Sequence, residues 1–176
     1  ENASNTFSKI KIIEEEQAEN KAEIDKKIFE KIMSQADTEE GGFGNAPKFP
    51  STFVINYLLE YYTIYKDENA LKQALLSLDK MAMGGLYDQL GGGFARYSTD
   101  KYWLAPHFEK MLYDNALLIE VYCKAYSITN NIFYKNIVDE TIKWLLREMT
   151  SENFTFFSAQ DADSEGVEGK FYTWTT

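Results

Sequence analysis

The chain has 176 residues, 44% of them hydrophobic and 15% aromatic, which suffices for one domain with a buried core. With 28 acidic against 18 basic side chains its net charge is -10, which argues against nucleic acid and against an anionic membrane surface as partners. No run of 18 apolar residues is present to span a bilayer, and 1 Cys with 1 His exclude an internal disulfide and an ordinary zinc site.

Residues 1–20 are polar and charged and read as a tail or an extra helix, without a basic-then-apolar signal pattern. The rest, 21–176, reads as one domain. A first helix over about 24–36 carries Ile24, Ile28, Phe29, Ile32 and Met33 as a single stripe. A second, over 51–65 with Ser51 as N-cap, is apolar nearly all round, through Phe53, Ile55, Leu58, Leu59 and Tyr61. A third follows the cap Asp67 to about residue 83 and has one stripe, Leu71, Ala74, Leu75, Leu78 and Ala82. A fourth, over about 107–127, spreads apolar residues over more than one face and takes Cys123 into its buried side as an inert thiol. A fifth, over about 132–149, has a narrow stripe opposite Lys135, Asp139, Lys143 and Arg147.

One-sided helices thus alternate with helices apolar on several sides, the order expected of outer and inner layers. Short connections follow the second and fourth helices. The long ones, 37–50, 84–106 and 150–176, hold all 10 Gly and all 3 Pro. Antiparallel alternation sends these three to one end, at the N-termini of the inner helices, where free N–H groups and the helix dipole collect. The fold class is therefore mainly α: antiparallel helical hairpins in a two-layer toroid or solenoid, with short β-hairpins in the long loops. Residues 84–97 suit a glycine-turned hairpin, and 154–157 and 170–174 suit strands bracketing 161–169.

Several runs carry a resemblance. Gly41-Gly42-Phe43-Gly44-Asn45-Ala46-Pro47-Lys48-Phe49-Pro50, Leu86-Tyr87-Asp88-Gln89-Leu90-Gly91-Gly92-Gly93-Phe94, the stretch from Pro106 to Asn115 and that from Ser158 to Gly166 resemble, in order, the YyaL-type thioredoxin-linked family. The resemblance covers about 25–176. It implies an (α/α)6 barrel similar to N-acylglucosamine 2-epimerases and six-hairpin glycosidases, behind a thioredoxin-like domain. On that pattern this chain begins after the thioredoxin-like part and carries five or six of about twelve barrel helices. The family pattern often places a histidine where Ala95 stands, and an alanine cannot move protons.

Three clusters could carry chemistry. His107, with Glu109, Lys110 and Asp114, sits at the expected start of an inner helix, either as an acid/base group or sugar ligand or as a helix-start residue bonded to a loop. Lys110 and Asp114 are spaced to pair. Asp161 and Asp163 open an acidic run to Glu168 that resembles the start of a calcium loop, but Tyr172 stands where such a loop needs a bidentate glutamate. The run then reads either as carboxylates for acid/base work on a glycoside or as a hairpin tip. Asp88, Arg96, Tyr97 and Trp103 could clamp and stack a sugar, with Lys48 a further candidate. The expectation is an epimerase-like or glycosidase-like barrel part in a cytoplasmic setting, with catalytic His107, Glu109, Asp161 and Asp163 and substrate-binding Lys48, Asp88, Arg96, Tyr97, Trp103 and Asp114. No metal and no cofactor are expected. The partners would be a sugar-like small molecule, the thioredoxin-like domain, and a second copy through exposed helices. The competing expectation is a non-catalytic interaction scaffold attached to a thioredoxin-like domain.

Overall fold

The computed structural model describes residues 20–173, in two compact units divided after Gln35. The proposed tail lies outside the described residues except for Asn20. In the first unit, 20–33 form a helix (α1) whose Ile24 and Ile28 are exposed.

The second unit is built on two helical hairpins: α2 (Thr52–Tyr65) with α3 (Glu68–Met83), and α4 (Leu112–Thr129) with α5 (Ile132–Glu148). Within each hairpin the helices pack on each other, and α2 packs on α4. Asp67 and Asn131 start the outer helices: their side chains accept from Asn69 N–H at 2.8 Å and Phe133 N–H at 3.0 Å. Ser51 does not cap α2. It adopts φ 50°, and its hydroxyl donates to the Phe49 carbonyl instead. The core between the layers holds Ile55, Leu58, Leu59, Leu78, Met81, Leu118 and Tyr122, all fully buried. Each large side chain of this kind contributes about 1.5–3 kcal/mol. Tyr122 also donates to the Leu78 carbonyl at 2.7 Å, tying α4 to α3. On α2, Phe53 and Ile64 remain exposed, so this helix is apolar on more sides than the unit covers. Cys123 is exposed, contrary to the expected buried thiol. It follows the core residue Tyr122 by about 100°, which turns it off the buried face. Among the described residues no helix is long and apolar enough to cross a membrane.

The three long connections do gather at one end, stitched by short ladders. Lys48 and Ser98 exchange backbone bonds at 2.9 and 2.8 Å, joining the first connection to the second. Strands β1 (Tyr97–Ser98) and β2 (Pro106–His107) pair within the second connection. Strand β3 (Lys110–Met111) pairs with β4 (Ala159–Gln160), joining it to the third. There β5 (Asp163–Ser164) and β6 (Val167–Glu168) form a hairpin. The expected strands at 154–157 and 170–174 are not the ones formed. The ladders lie at 159–168 instead, and 170–173 make turns among the described residues.

A fastening occurs twice. Asp37 accepts Glu39 and Glu40 N–H at 3.0 and 2.8 Å, Asp37 N–H donates to Gly42 O, and Lys48 Nζ binds Asp37 Oδ2 at 2.6 Å and Gly41 O at 2.8 Å. Asp88 likewise accepts Leu90 and Gly91 N–H at 3.1 and 2.8 Å, Asp88 N–H donates to Gly93 O, and Lys110 Nζ binds Asp88 Oδ2 and Gly92 O, both at 2.8 Å. Each ammonium faces an indole, Lys48 that of Trp103 at 5.5 Å and Lys110 that of Trp144 at 5.1 Å. In each copy a positive-φ glycine lies against the indole: a Cβ on Gly42 would come within 2.6 Å of Trp103, and one on Gly93 within 2.6 Å of Trp144.

Candidate functional site

The fourth helix begins at Leu112, five residues after the expected start, because 106–111 are drawn into ladders with β1 and β4. His107 therefore projects from an extended ribbon. Along this ribbon the side chains alternate. Pro106, Phe108 and Lys110 line a cavity of about 270 Å³ with Leu86, Ala95 and Tyr172. His107 and Glu109 face the other way, toward Arg96, Tyr97 and Glu168.

On that second face the groups are close. His107 Nδ1 lies 2.6 Å from Glu168 Oε1, and its Nε2 lies 3.7 Å from Glu109 Oε2. Glu109 Oε2 accepts from Arg96 Nη1 at 3.0 Å, and the Arg96 N–H donates to the Glu109 carbonyl at 2.8 Å. The Tyr113 side chain also lies close enough to Arg96 to stabilise its charge. The His107 ring stacks on Tyr97 at 4.9 Å, and Tyr97 meets Phe49 at 4.9 Å, so an aromatic wall flanks the charged groups. A carboxylate oxygen can only accept, so Nδ1 is the donor to Glu168, and Nε2 faces Glu109.

Asp114 stands in the first turn of α4. A helix N-terminus favours a charged carboxylate. Here partial burial dominates and pushes the carboxyl up; the Arg96 guanidinium opposes this and the Glu109 charge adds to it, giving about 6. Its Oδ2 is buried and has no hydrogen-bond partner among the described residues.

The structure therefore brings together His107, Glu109, Arg96, Tyr97 and Asp114. Asp163 stands directly opposite Glu168 in the β5–β6 register, which places it on the same face of that hairpin. Asp161 is exposed, and its Oδ1 accepts Asp163 N–H at 3.0 Å, forming a turn. The acidic run is a hairpin whose tip, Glu165 and Gly166, takes positive φ at both residues. Among the described residues no three His, Cys, Asp or Glu are arranged to hold a metal ion.

Lys48, Asp88 and Trp103 serve the fastenings. Lys48 is 1% exposed and Trp103 is fully buried, its Nε1 donating to Glu40 O at 2.8 Å. Lys110 pairs with Asp88 and not with Asp114, because position 110 is strand and the helical spacing does not apply. Burial depresses the Lys110 ammonium while the bond to Asp88 opposes this. Ala95 is buried, with its side chain in the Phe108 cavity. Glu168, Tyr113 and Phe49 belong to the site and were not singled out. Glu168 was visible as the last carboxylate of the acidic run, but only the hairpin register selects it.

No family model matches the chain. It is 40% identical over 164 residues to spermatogenesis-associated protein 20 of Rattus norvegicus, covering 88% of this chain and 21% of that protein. The chain thus spans about a fifth of the length of the curated relatives it matches. Among solved structures it is similar to cellobiose 2-epimerase from Spirochaeta thermophila, with TM-score 0.68 and 17% identity over 75% of this chain and 36% of that one. It is also similar to a family 76 glycoside hydrolase from a bovine Bacteroides thetaiotaomicron strain, with TM-score 0.57 and 21% identity over 68% of this chain and 25% of that one. At these identities the likeness establishes the fold alone. The second unit is part of an (α/α)6-type toroid, with short antiparallel hairpins in its loops.

Proposed function

We propose that the loop end binds a sugar-like small molecule and performs acid–base chemistry on it, as an epimerase-like or glycosidase-like barrel domain. The observation that carries this reading is His107 held between Glu168 and Glu109, at 2.6 and 3.7 Å, beside the Tyr97–Phe49 wall. An imidazole, a guanidinium, carboxylates and an aromatic face together provide hydrogen bonds for hydroxyls and a surface for a ring. Similarity to a cellobiose 2-epimerase and a glycoside hydrolase supports the same reading. In it, His107 and Glu109 act on the substrate, Arg96, Tyr97 and Asp114 contact or position it, and Asp163 lies at the rim. Membership of the YyaL-type family and attachment to a thioredoxin-like domain in a cytoplasmic protein belong to this proposal. So does the assignment of 21–176 as the first part of the barrel, along with contact between copies through Phe53 and Ile64.

Isothermal titration with neutral and N-acetylated sugars tests it. Heat is expected with at least one sugar, and it should disappear in His107→Ala and weaken in Glu109→Gln. No heat with any sugar, or unchanged heat in both variants, would count against the site. The scaffold reading is favoured by one feature: Leu90, Leu104 and Phe171 are 86%, 72% and 76% exposed beside the Phe108 cavity. That reading expects a protein partner there and no effect of His107→Ala.

A further inference from the structure

We infer that the Phe108 cavity, on the opposite side of the ribbon from His107 and Glu109, is a second binding site, and that it takes an uncharged planar molecule of one or two aromatic rings. This goes beyond the sugar-site reading and does not depend on it.

The walls are apolar and held in place. Leu86, Ala95, Leu104 and Pro106 line the space of about 270 Å³ together with the rings of Phe108 and Tyr172. Those two rings lie nearly parallel, tilted by 9° with centroids at 5.3 Å. Phe108 is also pressed against backbone, because a Cβ on Gly169 would come within 2.5 Å of its ring. Walls fixed in this way cost a ligand little ordering on binding. Leu90 and Leu104 stand exposed in the same lining, so a ligand there takes apolar surface out of water.

The charges in the lining select the class of ligand. Asp88 Oδ1 accepts Leu90 and Gly91 N–H, and its Oδ2 accepts Lys110 Nζ. Lys110 Nζ also donates to Gly92 O, and the rings of Trp144 and Tyr172 each face it at 5.1 Å. The Gln89 amide donates to Ala82 O and Gly84 O at 2.8 and 3.0 Å. A charged ligand would lose its hydration here and find no free counter-charge. A neutral ring loses far less and gains aromatic and aliphatic contact. The size agrees, since an apolar cavity of about 150 Å³ already holds benzene. An adjoining cavity of about 360 Å³ shares Asp88, Leu90 and Tyr172 with the first. Together they reach the range of small-molecule sites, about 300–1,000 Å³, which favours a free molecule over a single side chain of another protein.

The test titrates indole, benzyl alcohol, benzoate and benzylammonium into the chain, each in turn, and follows the methyl NMR shifts of Leu86, Ala95 and Leu104. Indole should move all three methyls along one saturating curve. Benzyl alcohol should bind about tenfold or more tighter than benzoate or benzylammonium, which carry the same ring with a charge. Ala95→Leu, which fills the space, should weaken indole about tenfold or more. The wild-type methyl shifts decide the matter if that variant folds poorly. Absence of saturation with indole, saturation that leaves these methyls unmoved, or charged probes bound as tightly as benzyl alcohol overturns the assignment. Unchanged affinity in a folded Ala95→Leu does the same. Tighter binding of N-acetyltryptophanamide than of indole would give the cavity to a protein side chain, and overturns it as well.

Discussion

Lys48 and Lys110 make the same two bonds in successive helical hairpins, each to an aspartate carboxylate and to a glycine carbonyl four residues after that aspartate. Both ammonium groups are nearly excluded from water, and each faces an indole. Removing one partner of such a pair leaves a buried charge uncompensated.

Lys48→Met and Lys110→Met are each expected to cost about 3–5 kcal/mol. Urea unfolding followed by circular dichroism measures this. The double variant Asp37→Asn/Lys48→Met should cost less than its two single changes together, because the second change removes the charge that the first stranded.

The first fastening sets an acid limit. Burial alone would raise Asp37, but bonds from Glu40 N–H, Lys48 and Glu39 N–H outweigh it and lower the carboxyl to about 2 from 3.8. A lowered carboxyl stabilises the fold above its unfolded value, and that contribution is lost as pH falls through the folded value. About 2 kcal/mol should therefore vanish between roughly pH 4 and pH 2. Thermal melts of the wild type should show this slope, and Asp37→Asn should flatten it.

Asp114 has the opposite sign. Its folded carboxyl is raised to about 6 from 3.8, so its contribution is full below the unfolded value and is lost as pH rises through about 6. Asp114→Asn should stabilise the chain by about 1–2 kcal/mol near pH 8, discounted for partial exposure, and change little near pH 4. A melting-temperature series against pH checks the crossover.

Two glycines with similar φ should respond differently. Gly93 (φ 79°) has Trp144 2.6 Å from any added Cβ, whereas Gly166 (φ 75°) has nothing within 4 Å. Gly166→Ala should cost about 1–2 kcal/mol from backbone conformation alone. Gly93→Ala should cost clearly more, about 3 kcal/mol or above, as read by equilibrium unfolding.

Much of the scaffold was legible because helix spacing and cap chemistry are local. Asp67 and the stripe through Leu71, Leu75 and Leu78 mark α3, and clustering of every glycine in three connections marks the shared rim. The site was legible in composition but not in arrangement. His107, Glu109, Arg96, Tyr97 and Asp114 stand out as residue types. Whether Lys110 meets Asp114 or Asp88 depends on two-residue ladders whose partners lie far apart in sequence. Trp103 looked available for stacking, and only the fold reveals that it closes over Gly42. Cys123 lay in an apolar stretch, yet one step of helical rotation past Tyr122 exposes it. The repeated fastening was present as Asp37 and Asp88, each followed by a run of two or three glycines and a phenylalanine, but the lysines follow at unequal distances and hide the correspondence.

The alternation along 106–110 makes the ribbon's reading frame a chemical switch. Its odd-numbered members present imidazole and carboxylate to one side, and its even-numbered ones present Pro106, Phe108 and the Lys110 ammonium to the other. Adding or deleting a single residue there would exchange the two linings wholesale, so lengthening of this stretch can be tolerated only in steps of two.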